Sequence, residues 1–261
     1  MILIGEYIKY KLKSKGKHQI HSPFVFDFVT KCLKIKITKE KKRLIHQLES
    51  NLKENHASIE ISDFGAGSKK LHSKRKISAI YKNASSKGIY ANLLYQLTHH
   101  YGCKNVLELG TSLGLGTVHL VLGNENCHVT TIDACENTQK VAKENLEQIK
   151  NITFIHSDFE SYLKNLENEQ FDLIFIDGHH DGNALKYYLQ LLDKFSHNDT
   201  IFVLDDIRWS KNMLEAWNEI IGDEKYHLSL DLFRLGIIWK RSQQTKEHFI
   251  IKQKGVLKGM I

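Results

Sequence analysis

The residues best suited to chemistry in this chain stand at the ends of apolar runs, where a fold can hold a side chain firmly and still present it to a ligand. Val106-Leu107-Glu108-Leu109-Gly110-Thr111-Ser112-Leu113-Gly114-Leu115-Gly116-Thr117 reads as a strand that runs into a glycine loop and then into a helix. Glycine lets a backbone turn tightly and approach a ligand with no Cβ in the way. The spacing is G-x-x-x-G-x-G, whereas loops that cradle a dinucleotide pyrophosphate use G-x-G-x-x-G. Glu108 argues in the same direction: its charge is unwelcome beside a diphosphate but suits the ammonium of an amino-acid-like cofactor, met directly or through water. Twenty-three residues after Gly110 comes Asp133, at the end of Val129-Thr130-Thr131-Ile132, where a carboxylate can accept both ribose hydroxyls. The same acid would serve a nicotinamide cofactor, so Asp133 points to an adenosine ligand and not to its class. Asp158 and Phe159 close the next apolar run, positioned to hydrogen-bond and cover an adenine ring. A glycine cluster alone could be a bare strand-to-helix connection; acids at two successive strand ends favour a ligand.

Two later runs end in further acids. Phe171 to Asp181 reads FDLIFIDGHHD, and Ile201 to Ile207 reads IFVLDDI. Ligands of open α/β sheets bind beyond the carboxyl ends of the strands, so Asp177, Asp205 and Asp206 should converge on one crevice. Three unpaired carboxylates there would repel one another. A divalent cation such as Mg²⁺ would relieve the repulsion and keep positions open for a substrate's oxygens. His180 is then the candidate general base, since a histidine near its ordinary pKa of about 6.5 takes up a proton at neutral pH, with Asp177 as its catalytic companion. His179 is the weaker candidate. Plainer readings stay open: Asp205 or Asp206 caps the next turn, and the two histidines finish a loop.

Positioning these residues requires a sheet. Strands are expected at 105–109, 128–132, 152–156, 171–176 and 200–204, alternating with helical stretches, which is the pattern of βαβ units and a mainly parallel sheet. Leu185, Tyr188, Leu189 and Leu192 form a helical stripe after the cap candidate Asp181, and another helix follows Ser210. Runs at 226–232 and 235–240 are joined only by Arg234 and its neighbours, a link that requires an antiparallel hairpin. The fold class is therefore α/β, Rossmann-like, mostly parallel with a C-terminal antiparallel hairpin. Before it, residues 1–86 read as a basic, largely helical extension, with a helix over 39–54 after the cap Thr38 and with Leu44, Ile45, Leu48 and Leu52 on one face. Residues 87–261 form the ligand-binding domain.

The net charge of +7 is unevenly spread: residues 1–86 carry 19 Lys/Arg against 7 Asp/Glu, and residues 87–261 carry 18 against 23. Such a basic segment suits a solvated face, a nucleic acid or another anionic partner. Four cysteines without CxxC spacing read as reduced thiols and argue against a structural zinc site. With neither a membrane-length apolar run nor a signal peptide, the expected location is the cytoplasm. The second glycine loop, Asp63-Phe64-Gly65-Ala66-Gly67-Ser68, leads into Lys69, Lys70, His72, Lys74, Arg75 and Lys76 and not into an apolar helix, so it reads as a turn or a substrate-side loop.

At these residues the chain resembles the class I S-adenosylmethionine-dependent methyltransferases, most nearly the catechol and caffeoyl-CoA O-methyltransferase-like group and an uncharacterised bacterial branch of it. The resemblance covers about residues 87–241 and rests on Glu108, Gly110, Thr111, Gly114 and Gly116, together with Asp133. It implies S-adenosylmethionine as cofactor, with Gly110, Ser112 and Gly116 along its methionine half, Asp133 on the ribose, and Ala134, Asp158 and Phe159 flanking the adenine. In metal-dependent members an Asp and an Asp-Asn pair bind the cation. The matching positions here are Asp177 and Asp205-Asp206, so Asn is replaced by Asp, and His180 stands where those enzymes often have Lys. The partners implied are a small hydroxylated methyl acceptor, or RNA or another large anionic acceptor through the basic N-terminal part, and a second copy of the chain. A noncatalytic adenosine-cofactor-binding protein is the remaining alternative.

Overall fold

The computed structural model describes residues 2–63, 71–83 and 87–253. The N-terminal part opens with helices α1 (Ile2–Lys13), α2 (Pro23–Thr30) and α3 (Lys39–Glu54). Pro23 suits the first turn of α2, where its missing N–H is not needed, and Thr38 caps α3 by accepting from the Lys41 N–H at 3.3 Å. On α3, Ile45, Leu48 and Leu52 are buried, while Leu44 from the same expected face is exposed.

An antiparallel ribbon follows, β1 (Ser58–Asp63) with β2 (Leu71–Lys76), and then α4 (Ile77–Asn83). The ribbon was not legible in the sequence, because β2 carries Lys74, Arg75 and Lys76 in succession and shows no apolar alternation. The turn expected over Asp63 to Ser68 begins on the last residue of β1, and its remaining positions lie outside the described residues.

The main body alternates helix and strand: α5 (Gly88–Tyr101), β3 (Asn105–Leu109), α6 (Leu115–Gly123), β4 (His128–Asp133), α7 (Glu136–Asn145), β5 (Ile152–His156), α8 (Phe159–Asn165), β6 (Phe171–Ile176), α9 (Gly182–Leu192), β7 (Ser196–Leu204) and α10 (Lys211–Gly222). Asp181 caps α9 and Ser210 caps α10, as the sequence suggests. The chain ends with β8 (Leu228–Asp231), β9 (Gly236–Trp239) and β10 (Glu247–Ile250). The sheet order is β10-β8-β9-β7-β6-β3-β4-β5. Strands β3 to β7 run parallel, β8 and β9 form the expected antiparallel hairpin, and β10 adds an unforeseen edge strand parallel to β8.

Alternation along the strands divides the core. Val106, Leu173, Phe175 and Val203 face α5 and α6, in one cluster with Val25 and Phe28 of α2. Leu107, Leu109, Ile174, Ile176 and Leu204 face Leu163, Leu185, Leu189 and Trp217 of α8, α9 and α10. Helix α3 packs Ile45, Leu48 and Leu52 against Leu115 and Val118 of α6, so the N-terminal part is docked beside the glycine loop. The strand order reverses between β3 and β6, and such a switch point opens a crevice at the carboxyl ends of the two strands. Among the described residues no helix is long and apolar enough to cross a membrane.

Candidate active site

The crevice is built where β3 and β6 end side by side. The Asp177 N–H donates to the Leu109 carbonyl at 2.9 Å, drawing the two strand ends together. Gly110 then has φ +115°, and a Cβ on it would stand 2.0 Å from the Asp177 carbonyl oxygen, so no other residue fits this junction. Gly114, at φ +82°, starts α6. Beneath the loop Glu108 is wholly buried; its Oε2 accepts from Thr117 at 2.5 Å and Thr131 at 2.6 Å, and its Oε1 has no partner among the described residues. Burial pushes its pKa up to about 8 in spite of the two hydroxyl bonds.

Asp133 ends β4 and braces the loop. Its Oδ2 accepts from the Ser112 N–H and its Oδ1 from the Cys135 N–H, both at 2.7 Å. Each carboxylate oxygen carries two lone pairs, so both can still accept a ribose hydroxyl. Ala134 follows, its carbonyl 3.2 Å from His156 Nε2. Asp158 caps α8, its Oδ1 accepting from the Ser161 N–H at 2.8 Å, and Phe159 meets Tyr188 edge-on at 5.6 Å.

A cavity of about 260 Å³ lies over the loop, lined on one side by Gly110, Thr111, Ser112, Gly116, Asp177 and His180. Its other wall is N-terminal: Arg75 of β2 and Ala79, Ile80 and Asn83 of α4. The N-terminal part thus forms one wall of the cavity, which sequence reasoning did not foresee because Arg75 stands in a basic run that reads as a solvated face. Of the other expected cofactor residues, Glu108, Gly114, Asp133, Ala134, Asp158 and Phe159 do not line it.

His180 and His179 part company. His180 lines the cavity, with Nε2 3.9 Å from Asp206 Oδ2 and its ring 5.8 Å from that of Trp209, an exposed aromatic. His179, held at φ +54°, turns its Nδ1 to the Tyr188 hydroxyl at 2.7 Å.

The acids of β6 and β7 do converge, but a side chain of the terminal hairpin meets them. Arg234 donates from Nε to Asp205 Oδ1 and from Nη2 to Asp205 Oδ2, each at 3.1 Å, and its Nε also lies 3.0 Å from Asp206 Oδ1. Asp177 is hydrogen-bonded to Asp205. Burial, then the neighbouring Asp205, raises Asp177 well above the carboxylate range. Burial also acts to raise Asp205, but Arg234 and the bond from Asp177 outweigh it and hold Asp205 low. Asp206 is pushed up to about 7 by burial and by Asp205. The three carboxylates do not stand unpaired: they are engaged with Arg234 and with one another. Among the described residues no group of three or more His, Cys, Asp or Glu is disposed to hold a metal.

Residues 107–207 match a family model described as a methyltransferase domain. Release factor glutamine methyltransferases of Bacillus cereus and Bacillus anthracis are 33% identical over 73 residues, a stretch that is 27% of this chain and 26% of theirs, so the chain spans about a quarter of the length of the curated relatives it matches. Among solved structures, the SAH-bound Podospora anserina methyltransferase PaMTH1 superposes with a TM-score of 0.58 at 15% identity, covering 85% of this chain and 97% of that one. A Bacillus cereus O-methyltransferase in complex with SAH gives 0.54 at 18% identity, covering 88% and 100%. Family match and strand order point the same way: residues 107–207 match a methyltransferase-domain model, and they are set in a Rossmann-like α/β fold shared with these solved structures.

Proposed function

We propose that the chain is an S-adenosylmethionine-dependent methyltransferase that methylates an oxygen of a small hydroxylated acceptor. One observation carries this reading: the glycine loop and His180 line the same cavity, so a cofactor on the loop and an acceptor beside the histidine would meet. The residues fit the cofactor. Gly110, Ser112 and Gly116 would run along its methionine half, Arg75 offers a cation to the amino-acid carboxylate, and Asp133 retains lone pairs for the ribose. When bound, the cofactor supplies an electrophilic methyl on a sulfonium. His180 takes the proton of the acceptor hydroxyl, and Asp206, 3.9 Å away, stabilises the imidazolium so formed. Trp209 offers a flat exposed face beside His180 for the acceptor. Catalysis then rests largely on alignment, with reacting atoms held at about 3 to 3.5 Å. Arg75 lines the cavity within the consecutive exposed run Lys74, Arg75 and Lys76, and that run favours a second reading, a large anionic acceptor such as RNA.

Calorimetric titration with S-adenosylhomocysteine, with NADH as control, tests the cofactor. Binding unmatched by NADH and weakened on the order of 10- to 100-fold in Asp133→Ala is the expected result, since charge-assisted bonds to hydroxyls contribute about 1.5 to 3 kcal/mol each. A folded protein that binds neither ligand, or prefers NADH, would end the methyltransferase reading. An acceptor screen with small phenols and alcohols on one side and RNA on the other then separates the two acceptor classes.

A further inference from the structure

The resemblance implies that metal-dependent members hold a divalent cation on an Asp and an Asp-Asn pair at the positions of Asp177, Asp205 and Asp206, and the geometry of this site bears on whether this chain does so. A Mg²⁺ ion demands near-octahedral oxygen ligands at about 2.0 to 2.1 Å, from carboxylates free to turn their lone pairs to it. Here the planar guanidinium of Arg234 faces Asp205 as a two-pronged fork, Nε to Oδ1 and Nη2 to Oδ2, and reaches Asp206 Oδ1 with the same Nε. The fork is fixed from behind. The Arg234 carbonyl accepts from the Ile207 N–H at 3.0 Å, which ties the hairpin turn to the loop after β7. The guanidinium also lies 5.4 Å from the centre of the Tyr90 ring, a cation–π contact from α5. The fork itself is largely shielded from water, with the Asp205 side chain 2% and that of Arg234 13% exposed. A guanidinium so held is a permanent cation where a metal would otherwise sit.

We infer that Arg234 is a built-in substitute for the divalent cation, so that the site at the ends of β6 and β7 works without metal. Arg234 is a positioning residue: it holds Asp205 and Asp206, and through Asp206 the ring of His180, and does not itself line the cavity. A consequence rests on the methyl-transfer reading of the previous subsection. With no ion to chelate, an acceptor gains nothing from two adjacent oxygens, and a lone hydroxyl beside His180 suffices.

The metal question is decided without cofactor or acceptor, so its outcome is independent of the proposed activity. Free Mn²⁺ is counted by electron paramagnetic resonance as the ion is added to the full chain and to Asp205→Asn. The expected result is that no ion binds to the cluster below on the order of 1 mM; ions bound equally by both proteins lie elsewhere and agree with it. One equivalent bound tightly by the wild type and lost in Asp205→Asn would overturn the inference. Thermal unfolding of Arg234→Met supplies the second arm. Leaving the buried carboxylates without their cation should lower Tm by roughly 10 °C, and Arg234→Met/Asp205→Asn, with one charge fewer, should recover part of the loss. If the single variant does not fold, the double variant is still expected to. A single variant as stable as the wild type, or a double variant no better than the single, would show that Arg234 does not neutralise these acids.

Discussion

Two buried carboxylates, Glu108 within β3 and Asp205 just after β7, are driven toward opposite charge states. Glu108, under the glycine loop, has only the hydroxyls of Thr117 and Thr131 for company, and burial drives it toward the neutral acid. Asp205, at the end of β7, is buried as deeply, yet the guanidinium of Arg234 keeps it ionised. Depth of burial does not decide the charge of a carboxylate; the nearest partner does. The difference also sorts the site by task. The floor of the glycine loop holds its carboxyl group among hydroxyls, whereas the side carrying His180 holds the fixed charges that proton transfer needs.

The two sides touch at Gly110, and breaking that junction should give the largest effect. In Gly110→Ala the new methyl would be driven into the Asp177 carbonyl and held at a φ of +115°, costs that together come to about 3 to 5 kcal/mol. Urea denaturation should show the loss, and any cofactor affinity should disappear with it. A variant of wild-type stability would mean that β3 and β6 do not meet as closely as the Asp177 to Leu109 hydrogen bond requires.

The next test addresses Glu108 directly. Its folded pKa, near 8, lies above the ordinary 4.5, so the native state binds a proton that the unfolded chain releases between those values. The protonated form's contribution is complete below about pH 4.5 and is lost as the pH rises toward and through 8, a loss on the order of a few kcal/mol. Glu108→Gln keeps an acceptor for the threonine hydroxyls and carries no charge, so its stability should fall much less between pH 5.5 and 8.5. Parallel stability curves for the two proteins would place the proton elsewhere.

The same contrast explains what the sequence could disclose. The glycine loop, Asp133, the caps Asp181 and Ser210 and the hairpin around Arg234 are encoded by spacings of a few residues, and each takes its expected local form. The convergence of Asp177, Asp205 and Asp206 was legible too, because parallel strands send their carboxyl ends to one edge. Arg234 was visible only as a turn residue, since its partner stands 29 positions away and no local pattern links a hairpin turn to a neighbouring strand end. Arg75 was hidden by its neighbours: in a basic run nothing distinguishes the side chain that turns to a cavity from those that face water. The ribbon was missed because β2 lacks the apolar alternation that Ile59 and Ile61 give β1, and the edge strand β10 because it is short and lacks it too.

Asp158 gives the smallest effect and the finest distinction. Resemblance assigns it to an adenine ring, while its Oδ1 accepts from the Ser161 N–H at the start of α8. That bond and those of the neighbouring amides hold its pKa below the usual carboxylate range. Asn caps a helix about as well as Asp, whereas Ala forfeits about 1 kcal/mol. Asp158→Ala should therefore lose about that much stability, and Asp158→Asn almost none. Affinity for S-adenosylhomocysteine tests whether the carboxylate charge serves the ligand, because an amide offers an adenine amino group the same carbonyl acceptor without the charge. If Asp158 does no more than start α8, the Asn variant keeps the wild-type affinity. A several-fold loss in Asp158→Asn with stability intact would instead assign the carboxylate charge to the ligand, and extend the charged, partner-defined half of the site across to the cofactor side.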